Sequence, residues 1–189
     1  MIERILVSGF EPWERHLVNT SWLAVEALEG ATILGARVKA ISLPVDWESA
    51  PRLLREASDA FRPDAIVTFG MVTKGPSLWR VELVARDRGG AKGIPEGAPP
   101  GEILPSGLPV ARIQGRLLEA GLDVQFSEDA GTFVCNHLFY KSMEMAHSGE
   151  LPAATGFIHV PAEDTGQLQD GARLVLEAIV APAGSLLRR

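Results

Sequence analysis

The chain's only cysteine, Cys135, sits within Ala130-Gly131-Thr132-Phe133-Val134-Cys135-Asn136-His137-Leu138-Phe139-Tyr140. Ser127, Glu128, Asp129, Gly131 and Thr132 supply turn and helix-start chemistry before it, and a helical pattern follows. The thiol is therefore expected in or beside the first turn of a helix. Unpaired backbone N–H groups and the positive end of the helix dipole favour an anion there, and the thiolate is the nucleophilic form of cysteine. The competing reading is an inert core thiol. Cys135 shares a helical face with Phe139 and Ala146, and free cysteine is among the most buried residue types. This window alone favours the core thiol, so the decision falls to the rest of the chain.

A nucleophilic thiol needs a base that can return the proton to a leaving amine, and histidine is the usual one. The chain has four. His137 lies two residues from Cys135, a spacing that turns the two side chains to nearly opposite sides of a helix; with Lys141 and Glu144 it reads as a solvated surface residue. His147 is about three turns away on the same helix and out of reach. His16 falls in a loop and stays open. His159 ends the apolar strand Gly156-Phe157-Ile158-His159-Val160, at the carboxyl edge where open α/β sheets place their ligand crevices. A helix following a parallel strand starts at that same edge, so Cys135 and His159 are expected to meet. A third group must orient the imidazole. Glu82, Glu128 and Asp129 are candidates, and Glu82 shares a strand face with Arg80 and Arg86, where an ion pair is its plain reading.

The elements that must position these groups follow from periodicity. Ile5-Leu6-Val7, Ala65 to Phe69 and Gly156 to Val160 read as buried strands. Ile33 to Leu43 reads as one extended segment with a break at Gly35, Trp79 to Arg86 alternates as a strand, and Asp123 to Phe126 is a short one. Helices are expected after a cap among Asn19, Thr20 and Ser21, and after Asp46. Others run from Val110 to a stop at Gly121, through the cysteine segment, and over Leu168 to Ile179. Residues 87–108, rich in Gly and Pro, read as an irregular loop. Strands alternating with helices predict a single-domain α/β chain, a three-layer α/β/α sandwich with a mostly parallel sheet.

Composition narrows the function classes. The 189 residues are 46% hydrophobic and 22% charged, ordinary for a globular domain. A formal net charge of −6 argues against nucleic acid or an anionic membrane as partner. A single cysteine excludes an intrachain disulfide and disfavours a zinc cluster. Neither a signal-peptide core nor a bilayer-length apolar run is present, so the cytoplasm is the expected compartment.

Four blocks now line up with a known family. Gly9-Phe10-Glu11-Pro12, Val81-Glu82-Leu83-Val84-Ala85, the cysteine segment 130–140, and Gly156-Phe157-Ile158-His159-Val160-Pro161 together resemble pyroglutamyl peptidase I. This is the pyrrolidone-carboxylate peptidase family of cysteine exopeptidases. The resemblance implies a catalytic set of Cys135, His159 and Glu82, acting without metal or cofactor. The substrate it implies is a peptide with an N-terminal pyroglutamyl residue, cleaved in the cytoplasm by an enzyme that is often a homotetramer. It also implies an aromatic sandwich for the flat lactam, pointing to Phe10, Trp13 and Phe133. Such a ring also needs one donor and one acceptor for its amide, and backbone groups near Gly70 and Met71 are the expected source.

The chain departs from the family in the pocket. Trp13-Glu14-Arg15 stand where Phe and two glycines are usual, and Thr20 replaces a proline. Gly70-Met71-Val72-Thr73-Lys74-Gly75 replaces a Gly-x-Ala-Gly-Gly-Arg loop. Two further readings follow: the same fold and triad acting on another blocked peptide or small amide, or a non-catalytic small-ligand binder. A nucleoside phosphorylase is disfavoured because nothing resembles a phosphate cradle.

Overall fold

A computed structural model describes residues 1–14, 16–93, 101–163 and 166–182. Its first half runs β1 (Arg4–Phe10), α1 (Thr20–Val25), β2 (Thr32–Ile33), β3 (Ala36–Leu43), α2 (Ser49–Phe61), β4 (Ala65–Met71), β5 (Trp79–Glu82) and β6 (Val84–Arg86). The second half runs β7 (Ile103–Pro105), α3 (Val110–Glu119), β8 (Val124–Ser127), α4 (Val134–His147), β9 (Ala154–Val160) and α5 (Leu168–Val180). Seven strands form one sheet in the order β2-β3-β1-β4-β9-β5-β8, and β6 and β7 form a small separate pair.

Strand parity builds the layers. Ile5, Val7, Val67, Phe69, Trp79, Val81, Ile158 and Val160 face one way and pack against apolar residues of α1, α3 and α5. Leu6, Phe10, Ile66 and Phe157 face the other way, against α2 and α4. Helices thus cover both faces of a mostly parallel sheet, the expected α/β/α arrangement. The same alternation sends Arg80, Glu82 and His159, the neighbours of Trp79, Val81 and Ile158, to the α4 side.

The local signals acted much as read, with corrections. Asn19 caps α1 by accepting from Ser21 N. Asp46 accepts from Ser49 N at 2.8 Å and so ties off the start of α2. Ile33 to Leu43 is not one segment. Leu34 and Gly35 both take positive φ, 47° and 90°, and make a two-residue hairpin between β2 and β3. Trp79 to Arg86 is likewise two strands: the chain leaves the main sheet at Leu83, and β6 pairs with β7 instead. Part of the 87–108 segment is therefore ordered as β7, held because Leu104 and Ala85 join the apolar layer under α4. Residues 94–100 of that segment lie outside the described residues.

One topological premise fails. β8, the strand before α4, is parallel to β5, and β5 is antiparallel to β9. A helix following β8 does not automatically start at the carboxyl edge of β9. Residues 129–133, between β8 and α4, line the same cavity as His159, and α4 with Cys135 begins directly after them.

Candidate active site

α4 begins at Val134, so Cys135 is its second residue and half-buried. Phe133 at the N-cap provides no side-chain cap, which leaves the first-turn N–H groups beside the sulfur without a side-chain partner. The upstream turn is fixed by Asp129, whose carboxylate accepts from Gly131 N at 3.0 Å and pairs with Arg88 at 3.2 Å.

His159 projects from near the end of β9 and is buried, 7% exposed. Its Nδ1–H donates to Glu82 Oε1 at 2.8 Å, and Glu82 itself is fully buried. Burial opposes the charged imidazole, but hydrogen bonding with Cys135 and Glu82, reinforced by their negative charge, outweighs it and pushes His159 up to about 9. Cys135 and His159 line one cavity, with the sulfur lying over Gly70, the ladder partner of His159, and Glu82 behind the ring. A thiol, an imidazole and a carboxylate so gathered are the groups that activate a nucleophile and orient its base.

Glu82 is not ion-paired with its strand neighbours. Arg80 donates instead to the carbonyls of Lys74 and Pro76, at 2.6 and 3.2 Å. Arg86, beyond the break at Leu83, donates to the Glu128 carbonyl at 2.8 Å. That break is the reason a single-strand reading misassigned the pairing. Asp129 and Glu128, the competing third groups, are thus tied to Arg88 and Arg86 at the surface.

The cavity, of about 290 Å³, opens over these groups. Phe10, Trp13, Met71 and Phe133 line it together with Cys135 and His159. Phe10 is buried and set by its N–H donating to Ser21 Oγ at 2.9 Å. Trp13 stacks on His16 at 4.3 Å between ring centres, so His16 supports the wall and does not face these groups. Phe133 is 45% exposed at the rim. Gly70 does not line the cavity. It pairs with His159 in the β4–β9 ladder, where an added Cβ would fall 2.7 Å from the Phe157 ring and 3.0 Å from Cys135 Sγ. Glycine is what lets the sulfur settle against the sheet.

Several neighbours escaped the sequence reading. Trp47 meets Phe133 edge-on at 5.6 Å and packs on His137 at 5.2 Å. His137 is accordingly half-buried against Trp47 and Gly90, not the solvated residue its helical position suggested. Its pKa is lowered, first by burial and then by Lys141. Asn136 is buried and clamps β6, accepting from Arg86 N at 3.2 Å and donating to Arg86 O at 2.8 Å. The available signal was its polar type on the inward face of an apolar helix. Asn19, Lys74 and Arg80 also line the cavity.

A thiol, an imidazole and a carboxylate gathered at an aromatic-lined cavity, on a three-layer α/β frame, fit a protein of the hydrolase class. The profile of the pyroglutamyl peptidase family matches residues 3–181, and the chain belongs to that family. Pyrrolidone-carboxylate peptidase of Chromobacterium violaceum is 39% identical over 175 residues, covering 85% of this chain and 78% of the relative. Pyrrolidone-carboxylate peptidase 1 of Ralstonia nicotianae is 37% identical over 83% of this chain and 77% of its own. The crystal structure of Bacillus amyloliquefaciens pyroglutamyl peptidase I superposes with a TM-score of 0.77 at 27% identity, covering 94% of this chain and 96% of that one.

Proposed function

We propose that this chain hydrolyses the bond after an N-terminal pyroglutamyl residue, with Cys135 as nucleophile, His159 as base and acid, and Glu82 as the carboxylate that orients the imidazole. Membership of the pyroglutamyl peptidase family supports the reaction. The observation that carries the residue roles is the buried His159–Glu82 hydrogen bond of 2.8 Å beside Cys135 in one cavity.

The steps follow from what each group holds. With the shared proton held on His159, the Cys135 sulfur attacks the pyroglutamyl carbonyl. Charge gathers on the carbonyl oxygen, where the uncapped first turn of α4 offers N–H groups; one such donor is worth about 3 kcal/mol in other enzymes. His159 protonates the amine as the C–N bond breaks, leaving a thioester on Cys135. Water then attacks, giving its proton to His159, and free pyroglutamate departs as the thiol is restored. Phe10, Trp13 and Phe133 give the flat lactam apolar walls, with the backbone of Met71, which lines the cavity, in reach of the ring amide. A cytoplasmic setting and a homotetramer belong to the same reading, supported by the family resemblance.

The test uses a fluorogenic pyroglutamyl amide and the protein before and after alkylation of Cys135. Turnover that vanishes in step with alkylation is the expected result. Turnover that persists on fully alkylated protein would remove Cys135 from the chemistry.

A further inference from the structure

We propose that Arg80 makes the enzyme selective for pyroglutamyl peptides whose departing half carries a carboxylate close to the cleaved bond. The inference rests on the reading above that His159 hands a proton to the leaving amine. Arg80 is the direct cross-strand neighbour of His159 in the antiparallel β5–β9 pair and lies on the same sheet face as Glu82. Its side chain lines the cavity.

The order of strands decides which half of the substrate it meets. His159 stands on β9, between β4 on one side and β5 on the other. Phe10 ends β1 and Trp13 follows it, two strand spacings from β9 toward β1; Arg80 is one spacing away in the opposite direction. Neighbouring strands are about 4.8 Å apart. A lactam held between Phe10 and Trp13 therefore sends the departing residue past His159 toward β5. Arg80 waits there.

The state of the guanidinium points to an anion. One terminal nitrogen is held by the carbonyls of Lys74 and Pro76, which fixes the head group without neutralising it. Its Nε is buried and, like Arg88 Nε and Glu82 Oε2, has no hydrogen-bond partner among the described residues. Among the described residues no carboxylate pairs with Arg80, whereas Arg86 pairs with Glu128, Arg88 with Asp129 and Lys141 with Glu144. Lys74 adds a second cation to the same wall, and among the described residues the one carboxylate that lines the cavity, Asp129, is already engaged by Arg88 and Gly131 N. On a chain of net charge −6, a positively charged, partly desolvated wall stands out as a site for a negative group.

The carboxylate has two sources, an acidic side chain on the residue after pyroglutamate or the free α-carboxylate of a dipeptide. Four substrates separate them: pyroglutamyl-alanine amide, pyroglutamyl-alanine with a free carboxylate, pyroglutamyl-glutamic acid α-amide and pyroglutamyl-lysine amide. One of the two anionic substrates is expected to exceed the neutral amide in kcat/KM by about tenfold, the size of one charge-assisted contact. The gain should lie mainly in KM, and the lysine amide should fall below the neutral one. Which anionic substrate wins identifies the source. The ratio should shrink as salt is raised, and Arg80→Gln should bring it close to one, whereas Arg80→Lys keeps part of it. Because Arg80 also holds the 73–77 loop, the quantity read in each variant is the ratio between substrates, not absolute turnover. Equal rates on neutral and anionic substrates in the unaltered protein would overturn the proposal. So would a preference that survives Arg80→Gln in folded protein or ignores salt. Failure of all four substrates would instead overturn the reaction on which the proposal rests.

Discussion

Two histidines of this molecule lie near the first turns of α4, and their surroundings send them opposite ways. His159 is enclosed beside a carboxylate and a thiol, and both draw its ring toward the protonated form. His137 is half-buried with Lys141 nearby, and burial first and then the lysine charge draw it toward the neutral form. Burial alone disfavours the charge on either ring. The difference lies in the partners, and it teaches that closeness in sequence to Cys135 counts for less than the element from which a base approaches. His137 shares the cysteine's helix and is turned away by its twist. His159 comes from a different element, 24 positions further on, and arrives on the right face because strand parity puts it there.

The largest effect that would break this comparison is on catalysis. His159→Ala should lower kcat/KM on a pyroglutamyl amide by about 10²–10⁴-fold, the range seen when a general base is removed; a loss of only a few-fold would place the base elsewhere. A smaller effect tests the floor of the site. Gly70→Ala should cost about tenfold or more in kcat by moving the sulfur off its line with His159, with circular dichroism showing the fold retained. His137→Ala should change kcat/KM by less than about threefold, since the ring meets Trp47 and Gly90 and makes no contact with the proposed triad. Equal losses in His159→Ala and His137→Ala would erase the distinction.

Much of the frame was legible in the residues. The alternation of strands and helices, the caps at Asn19 and Asp46, and the stop at Gly121 all come from local backbone preferences that leave marks in a single chain. The meeting of Cys135 and His159 was expected as well, but on a parallel-strand argument that β8 does not satisfy. Residues 129–133 line the shared cavity instead, and a connecting loop's route is set by packing, not by periodicity. The break at Leu83 was invisible for a similar reason. Trp79 to Arg86 alternates without interruption, and only the pairing of β6 with β7 decides that Arg86 leaves the sheet. Trp47 gave no sign of its part beneath Phe133 and His137, because a lone aromatic in a turn has no period to read. Glu82 could be chosen over Glu128 and Asp129 only through the family resemblance, since all three are acidic residues near the right elements.

The shared proton also links catalysis to stability. The folded-state value of His159, about 9, lies above the 6.5 of a free imidazole. The stabilisation it provides is full below 6.5 and is lost as pH rises through about 9, so the melting temperature should fall across that window. The account's central claim is that this imidazole holds its proton because Cys135 and Glu82 face it. An NMR titration of the His159 ring tests this most directly, in the unaltered protein and in Cys135→Ala. The account predicts a midpoint near 9 in the former, dropping toward or below 6.5 once the sulfur is gone. A ring that titrates at or below 6.5 in the unaltered protein, or does not respond to loss of the sulfur, would contradict it.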